Sequence, residues 1–300
     1  MSTFLTTTPP NLADQPGVHL PAIVTKGIEI LTRAGVPTPD VDVELLIGHV
    51  LGASRGEVQA RTIVGSRVSV AQADAIREAV LRRATREPLQ HITGIAYFRS
   101  LELAVGPGVF VPRPETEFVS QFAIDALLAV ASPEPIAVDL GTGSGAIALA
   151  MATEVPHARV VGVEVSPEAF IWARENYRGV ENARLVFTDL AEALPELDGD
   201  VDVVVSNPPY IPAGMVPRDP EVRLFDPELA LYGGADGLDV VRAASRTAAR
   251  LLRSGGVFVL EHAEVQGDAI RALLEADGWR AAETHRDLLG RDRATVALKP

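Results

Sequence analysis

The chain contains no cysteine, which removes disulfides, thiolate metal sites and a cysteine nucleophile from consideration. It also lacks any uninterrupted apolar run near the roughly 18 residues that a membrane-spanning helix needs. Its N-terminus has neither the basic start nor the apolar stretch of a secretory signal, so a cytoplasmic location is expected. Basic residues are scarce: 27 Lys and Arg stand against 40 Asp and Glu, a formal net charge of -13. Such a chain repels phosphate unless a local basic surface overcomes the balance, so neither stable nucleic-acid binding nor a membrane partner is expected. No internal repeat is evident, and no metal is implied.

What is present is enough apolar residue, 47% of 300 positions, to bury a sizeable core and to make two domains a reasonable expectation. Residues 1–17, "MSTFLTTTPPNLADQPG", are rich in Thr, Pro and small polar residues without apolar periodicity and read as a disordered tail. Residues 18–88 read as a helical domain, with helical spacing near Leu20–Ala34, Val41–Leu51 and Val70–Arg86 broken by "AGVPTPD" and "GASRG". Ser69 and Gln72 form a capping-box pattern ahead of Ile76, Ala79, Val80 and Ala84, and Pro88 stops the helix. Arg82, Arg83 and Arg86 make a basic side, which is either a solvated face or a docking surface. Residues 89–112 have the β-rich, Gly/Pro-punctuated texture of a hairpin connector. From residue 113 to 300, and clearly from Ile136, short apolar runs alternate with helical stretches. That pattern implies an α/β domain with a mostly parallel sheet covered on both faces.

Three strand ends in this region carry chemistry. "VDLGTGSGAIALA" places Gly141, Thr142, Gly143, Ser144 and Gly145 between a strand and an Ala-rich helix, where glycine lets the backbone turn tightly and approach a ligand. Read with Ala146 it also fits a dinucleotide fingerprint. Glu164 ends the next strand, where a carboxylate can accept from both hydroxyls of a ribose. Asp189 ends the third, placed to accept from an adenine amino group with Leu190 beside the ring. These residues suit any adenosine cofactor, a dinucleotide or S-adenosylmethionine.

The fourth strand, Val201–Ser206, runs into Asn207, Pro208, Pro209 and Tyr210. Two successive prolines restrict the backbone and remove two N–H donors while keeping their carbonyls as acceptors. An amide or aromatic amine nitrogen is a poor nucleophile because its lone pair is delocalised. The Asn207 side-chain oxygen and the Pro208 carbonyl can each take one N–H of such an NH₂ group, freeing the lone pair to attack a methyl, with Tyr210 stacking on the planar group. A proline-rich turn that merely ends a strand is the plain alternative.

"DLGTGSG" and "NPPY" together resemble the class I S-adenosylmethionine-dependent methyltransferases. "EPLQHITG", "VFVPRPETE", "VSNPPYIP" and "GGVFVLEH" narrow the resemblance to the peptide chain release factor glutamine methyltransferases, over about Leu20 to the C-terminus. The resemblance implies a Rossmann-like sheet behind a small N-terminal helical domain for substrate recognition and a β-hairpin connector, with the methyltransferase domain over 113–300. It implies methylation of the side-chain nitrogen, N5, of the glutamine in the Gly-Gly-Gln motif of class-1 release factors. Carried over, it places cofactor contacts at Gly141 through Gly145, Glu164, Asp189, Leu190 and Asn207, and holds the substrate glutamine with Asn207 to Tyr210. It also implies that Arg113 to Thr116 form a loop closing the methionine end of the pocket. An aromatic often stands at the position of Leu190 in the family, so adenine meets a softer aliphatic contact here.

The rival activities are methylation of a ribosomal protein glutamine, which "RPETE" disfavours, and DNA adenine methylation, which the acidic balance and the lack of a target-recognition region oppose. A non-catalytic cofactor-binding regulator would not need all four NPPY residues, and a nicotinamide-dependent oxidoreductase leaves them unexplained. His262, in "VLEH", follows a strand and is read as structural or solvated, since the chemistry calls for no base before transfer.

Overall fold

The computed structural model describes residues 17–300; of the tail expected over 1–17, all but Gly17 lies outside the described residues. The chain divides into two units, with the boundary between Thr93 and Gly94. Among the described residues no helix is long and apolar enough to cross a membrane.

The first unit comprises β1 (Val18–His19), α1 (Leu20–Arg33), α2 (Pro39–Leu51), α3 (Arg55–Ile63), β2 (Arg67–Val68), α4 (Val70–Ala84) and α5 (Leu89–Thr93). Its core joins Leu20 and Leu31 of α1, Val43, Leu46 and Ile47 of α2, Val58 of α3 and Ile76 and Val80 of α4. A Cβ on Gly27 of α1 would lie 2.9 Å from Val43, so glycine there lets α1 and α2 approach closely. The capping box expected at Ser69 and Gln72 is formed in both directions. A second box, Ser54 with Glu57, starts α3, a helix the apolar spacing does not announce because Val58 is its one buried residue. The basic side expected on α4 is not an open face. Arg83 is buried, its Nε donating to the Asp42 carboxylate at 2.7 Å, while Arg82 pairs with Glu87 and Arg86 donates to the Gly35 carbonyl.

The second unit opens with the antiparallel hairpin β3 (Ile95–Phe98) and β4 (Leu101–Ala104). The connector expected over 89–112 is thus only partly strand: Leu89–Thr93 is helical and stands on the other side of the unit boundary. There follow α6 (Pro114–Leu128), β5 (Ile136–Leu140), α7 (Ala146–Glu154), β6 (Arg159–Glu164), α8 (Pro167–Asn176), β7 (Ala183–Phe187), β8 (Val201–Ser206), α9 (Pro220–Phe225), α10 (Asp239–Leu251), β9 (Leu252–Glu261), α11 (Gly267–Ala276), β10 (Arg280–Arg286) and β11 (Asp292–Leu298). The seven-stranded sheet of this unit has the order β10-β11-β9-β8-β5-β6-β7. Strands β5 to β9 are parallel, and β11 and β10 close one edge antiparallel.

The central strands β5, β6 and β8 are buried on both faces, which is why they read as nearly continuous apolar runs. Alternate residues feed two cores. Ala137 of β5 and Val203 and Val205 of β8 face α6 and α7, whereas Val138, Leu140 and Val204 face α10 and α11. The buried Asp202 of β8 ties the strand ends, accepting from the Ile136 backbone N–H at 2.8 Å and from Arg253 at 2.6 Å. From β5 the chain winds outward through β6 to β7, then returns across to β8 on the other side of β5. The crossovers therefore diverge between the carboxyl ends of β5 and β8, the place where open α/β sheets offer a ligand crevice.

A candidate active site at the carboxyl edge of the sheet

A cavity of about 810 Å³ opens at this divergence, lined by Gly141 to Ser144, Glu164, Asp189, Leu190 and Asn207 to Tyr210. That volume is within the range of small-molecule sites. Of the residues singled out from sequence, Gly145 is not among the cavity lining. The two strand ends are fastened to each other by Ser206, whose Oγ donates to the Leu140 carbonyl at 2.6 Å.

Gly141 and Gly143 have φ of +78° and +58°, and a Cβ on either would meet nothing within 4 Å. The backbone turn needs the left-handed region, and the space above it is open for a ligand to lie against main chain. Gly145 serves packing instead. It starts α7, and a Cβ there would lie 2.7 Å from the Tyr177 ring. Glu164 holds the loop from below. Its Oε2 accepts from Gly143 N–H at 2.8 Å, and its Oε1 accepts from Val165 and Ser166 N–H at 2.9 and 2.7 Å. Burial pushes its carboxyl up from the usual range, against the pull of those three donors. With two lone pairs on each oxygen, Oε2 keeps one for a ligand hydroxyl.

Behind the loop, Asp139 is buried and accepts from the Thr142 hydroxyl at 2.7 Å and the Ala148 N–H at 3.2 Å. Its Oδ1 has no partner. Tyr177 reaches over Gly162 to the same place, its hydroxyl 3.4 Å from Thr142 Oγ1. A Cβ on Gly162 would sit 2.0 Å from that hydroxyl. Gly162→Ala must therefore displace Tyr177 from beneath the loop, and overpacking of this kind costs about 1–3 kcal/mol. The expected result is a lowered melting temperature together with weaker cofactor binding; a variant that melts like the wild type contradicts the contact.

Asp189 caps a short 3₁₀ turn, its Oδ1 accepting from Ala191 N–H at 2.8 Å, and the other oxygen is left for a ligand. Leu190 lines the cavity while also packing on the α10 side of the core. Arg113 to Thr116 line the cavity as well, but not as a loop. Pro114 stands in the first turn of α6, with Arg113 as its N-cap, the position where proline's missing N–H costs nothing. Arg113 Nη2 donates to Asp226 at 2.7 Å and its guanidinium lies 5.0 Å from the Phe110 ring centroid. The partner carboxyl is fully buried, and burial pushes it up to about 6 although Arg113 pulls it down.

The Asn-Pro-Pro-Tyr backbone is pinned by the segment 231–237. Ile211 N–H donates to Leu231 O at 2.8 Å, and Gly233 N–H to Ile211 O at 2.9 Å. The Tyr210 carbonyl accepts from Gln266 at 3.0 Å. The Asn207 amide Nδ2 donates to Thr116 Oγ1 at 3.4 Å. Beyond them lies Glu261, at the end of β9 and 1% exposed. Burial pushes its carboxyl up to about 7 against hydrogen bonds from Thr116 and Asn207 and the charge of Arg293. His262 has no place in the cavity lining. Its ring is bonded to the Ala263 carbonyl and the Thr295 hydroxyl, both at 2.9 Å, and burial lowers its pKa, as a structural histidine requires.

Asp139 and Glu261, which lie inside "DLGTGSG" and "GGVFVLEH" but have no role assigned from sequence, set a pH dependence of stability. Burial pushes both carboxyls up to about 7, whereas in the unfolded chain they ionise near pH 4. Between pH 6.5 and 8 the folded state thus binds more protons than the unfolded state, and stability falls as pH rises. Two such groups give a loss on the order of 1–2 kcal/mol over that interval. A melting temperature of the ligand-free protein that stays flat or rises from pH 6.5 to 8 would contradict this.

Residues 22–94 match the family model described as PrmC N-terminal domain, and residues 101–219 the one described as Methyltransferase small domain. A Streptomyces coelicolor protein named release factor glutamine methyltransferase is 52% identical over 281 residues, covering 93% of this chain and 97% of its own. A Streptomyces pristinaespiralis protein named 4-amino-L-phenylalanine/4-methylamino-L-phenylalanine methyltransferase is 44% identical over 261 residues, 85% of this chain and 87% of its own. Among solved structures, a T. thermophilus 16S rRNA N2 G1207 methyltransferase in complex with AdoMet and guanosine is 25% identical with a TM-score of 0.50, covering 69% of this chain and 50% of that one.

Proposed function

The chain belongs to the release factor glutamine methyltransferase family, whose class I methyltransferase fold its α/β unit shares, and from that premise we propose how its residues methylate N5 of the Gly-Gly-Gln glutamine in class-1 release factors. S-adenosylmethionine is the methyl donor and supplies an electrophilic methyl group on a sulfonium. The carrying observation is one cavity bordered on one side by the open glycine turn with Glu164 and on the other by Asn207 to Tyr210. The donor set fits an adenosine: open main chain over Gly141 and Gly143, a spare acceptor on Glu164, and Asp189 with Leu190 for the base.

Asn207 Oδ1 and the Pro208 carbonyl accept the two N–H groups of the glutamine amide, and Tyr210 packs on its plane. Hydrogen bonds to developing positive charge contribute about 1.5–3 kcal/mol each. Alignment in a near-attack geometry supplies up to about 7–11 kcal/mol, so positioning contributes more than the hydrogen bonds do. The nitrogen's proton becomes acidic only as charge develops, and no base precedes transfer. The helical region, residues 18–88, is assigned recognition of the release factor.

The aminophenylalanine methyltransferase relative gives a second reading, a small arylamine with the same planar nitrogen. Labelled S-adenosylmethionine is incubated with the protein and, separately, a class-1 release factor, a ribosomal protein, DNA and 4-aminophenylalanine, and the methyl is mapped by mass spectrometry. Label at the Gly-Gly-Gln glutamine is expected; label on another acceptor and not on the release factor overturns the reading.

A further inference from the structure

The Asn207 amide has two ends of nearly the same shape, and only the oxygen end can accept from a substrate NH₂ group. Its contact with the Thr116 hydroxyl does not choose between them, because a hydroxyl both donates and accepts. The choice is made one residue further back. Ser206 pairs with Leu260 in the parallel register of β8 and β9, so Asn207 and Glu261 are the next residues along adjacent strands. Thr116 and Glu261 are 4% and 1% exposed, and Glu261 Oε2 has no hydrogen-bond partner. Glu261 does not line the cavity.

We propose that Glu261 is a positioning residue for methyl transfer: through Thr116 it fixes the polarity of the Asn207 amide, so that Oδ1 faces the substrate nitrogen. In its ionised form, which predominates above about pH 7, the Glu261 carboxyl accepts and does not donate. Thr116 therefore spends its single proton on Glu261 and presents a lone pair to Asn207, which must answer with Nδ2–H. Arg293, from β11, and Glu115, the residue before Thr116, are the charged groups that face the cluster, the first favouring and the second opposing the ionised form. The orphaned Oε2 leaves acceptor capacity on the side where a flipped amide would present a second oxygen, so the alternative orientation brings two acceptors together. With a neutral amide in place of Glu261, its NH₂ group can donate to Thr116, Thr116 can donate to Asn207 Oδ1, and Asn207 turns its NH₂ toward the substrate.

The inference rests on the proposed acceptor role of Asn207, and two measurements separate the claims. The first needs no substrate: in protein labelled with ¹⁵N-asparagine, the Asn207 side-chain NH₂ is expected to show nuclear Overhauser contacts to Thr116 in the wild type and to lose them in Glu261→Gln. Contacts unchanged in Glu261→Gln, or absent in the wild type, overturn the proposal whatever the substrate is. The second is kinetic. Glu261→Gln is expected to lower kcat about 100-fold with the KM for S-adenosylmethionine within a few-fold of wild type. Thr116→Val should lose as much, Thr116→Ser should recover most of it, and the double variant Glu261→Gln/Thr116→Val should be no worse than either single change, since the two act in one chain. A fully active Glu261→Gln, or losses that add, overturns the relay. A wild type that methylates no release factor fails the functional reading instead, and the amide contacts still decide the orientation.

Discussion

Asn207→Ala is expected to lower methyl transfer to a release factor about 10²–10³-fold, the cost typical of deleting one preorganised hydrogen-bonding group at a reacting centre. The residue is half-buried at the cavity wall and packs no core, so the fold should not suffer. The floor of the loop, Gly141 to Gly143 with Glu164, is untouched by the change, and cofactor affinity by calorimetry should stay within a few-fold. Alanine also frees Thr116 from its long 3.4 Å contact, while the Thr116 hydroxyl can still donate to Glu261. The loss should therefore fall on kcat. Turnover near that of the wild type would remove Asn207 from the acceptor role and leave Asn-Pro-Pro-Tyr as a turn that ends a strand.

Much of the candidate site is legible in the sequence because each proposed site residue stands at or just past the end of an apolar run. Ile136–Leu140, Ala146–Glu154 and Val201–Ser206 begin and end where the apolar spacing puts them. The family resemblance is met by a 52% identical relative. What the sequence hides, it hides for physical reasons. Pro114 reads as loop punctuation, but proline in the first turn begins a helix, and "PETEFVSQFAIDALL" is all α6. β10, "RAAETHR", is a polar strand at the sheet edge with only a weak apolar alternation to betray it. Arg83 reads as part of a basic face until Asp42, 41 positions earlier, is brought against it. In "VLEH" the histidine is the residue type that invites a catalytic role, yet Glu261 is the one beside Asn207 in the register of β8 and β9. The available signal is a carboxylate continuing the buried apolar run Phe258–Leu260, which is costly unless neighbours bond to it.

Glu164→Ala is the second large effect, and it should act on binding. The wild-type carboxylate takes three backbone donors, of which Gly143 N–H belongs to the turn that faces the cavity. Removing it deletes the proposed ribose acceptor and unfastens the loop in the same step. Bonds to a charged group contribute about 1.5–3 kcal/mol, so affinity for S-adenosylmethionine should drop about 100-fold or more. Because burial pushes this carboxyl up, its removal also relieves a desolvation cost, and the fold should survive. Turnover at saturating cofactor should fall far less than in Asn207→Ala. Glu164→Gln separates the two contributions. Its single oxygen can still serve Val165 and Ser166, but its NH₂ group then opposes the Gly143 N–H, donor against donor, while remaining able to donate to a ribose oxygen. If loop anchoring is the larger part, Glu164→Gln binds nearly as weakly as Glu164→Ala; if the ribose contact is, glutamine recovers affinity. Calorimetry that finds wild-type affinity in Glu164→Ala would reject both contributions and place the ribose on another side chain.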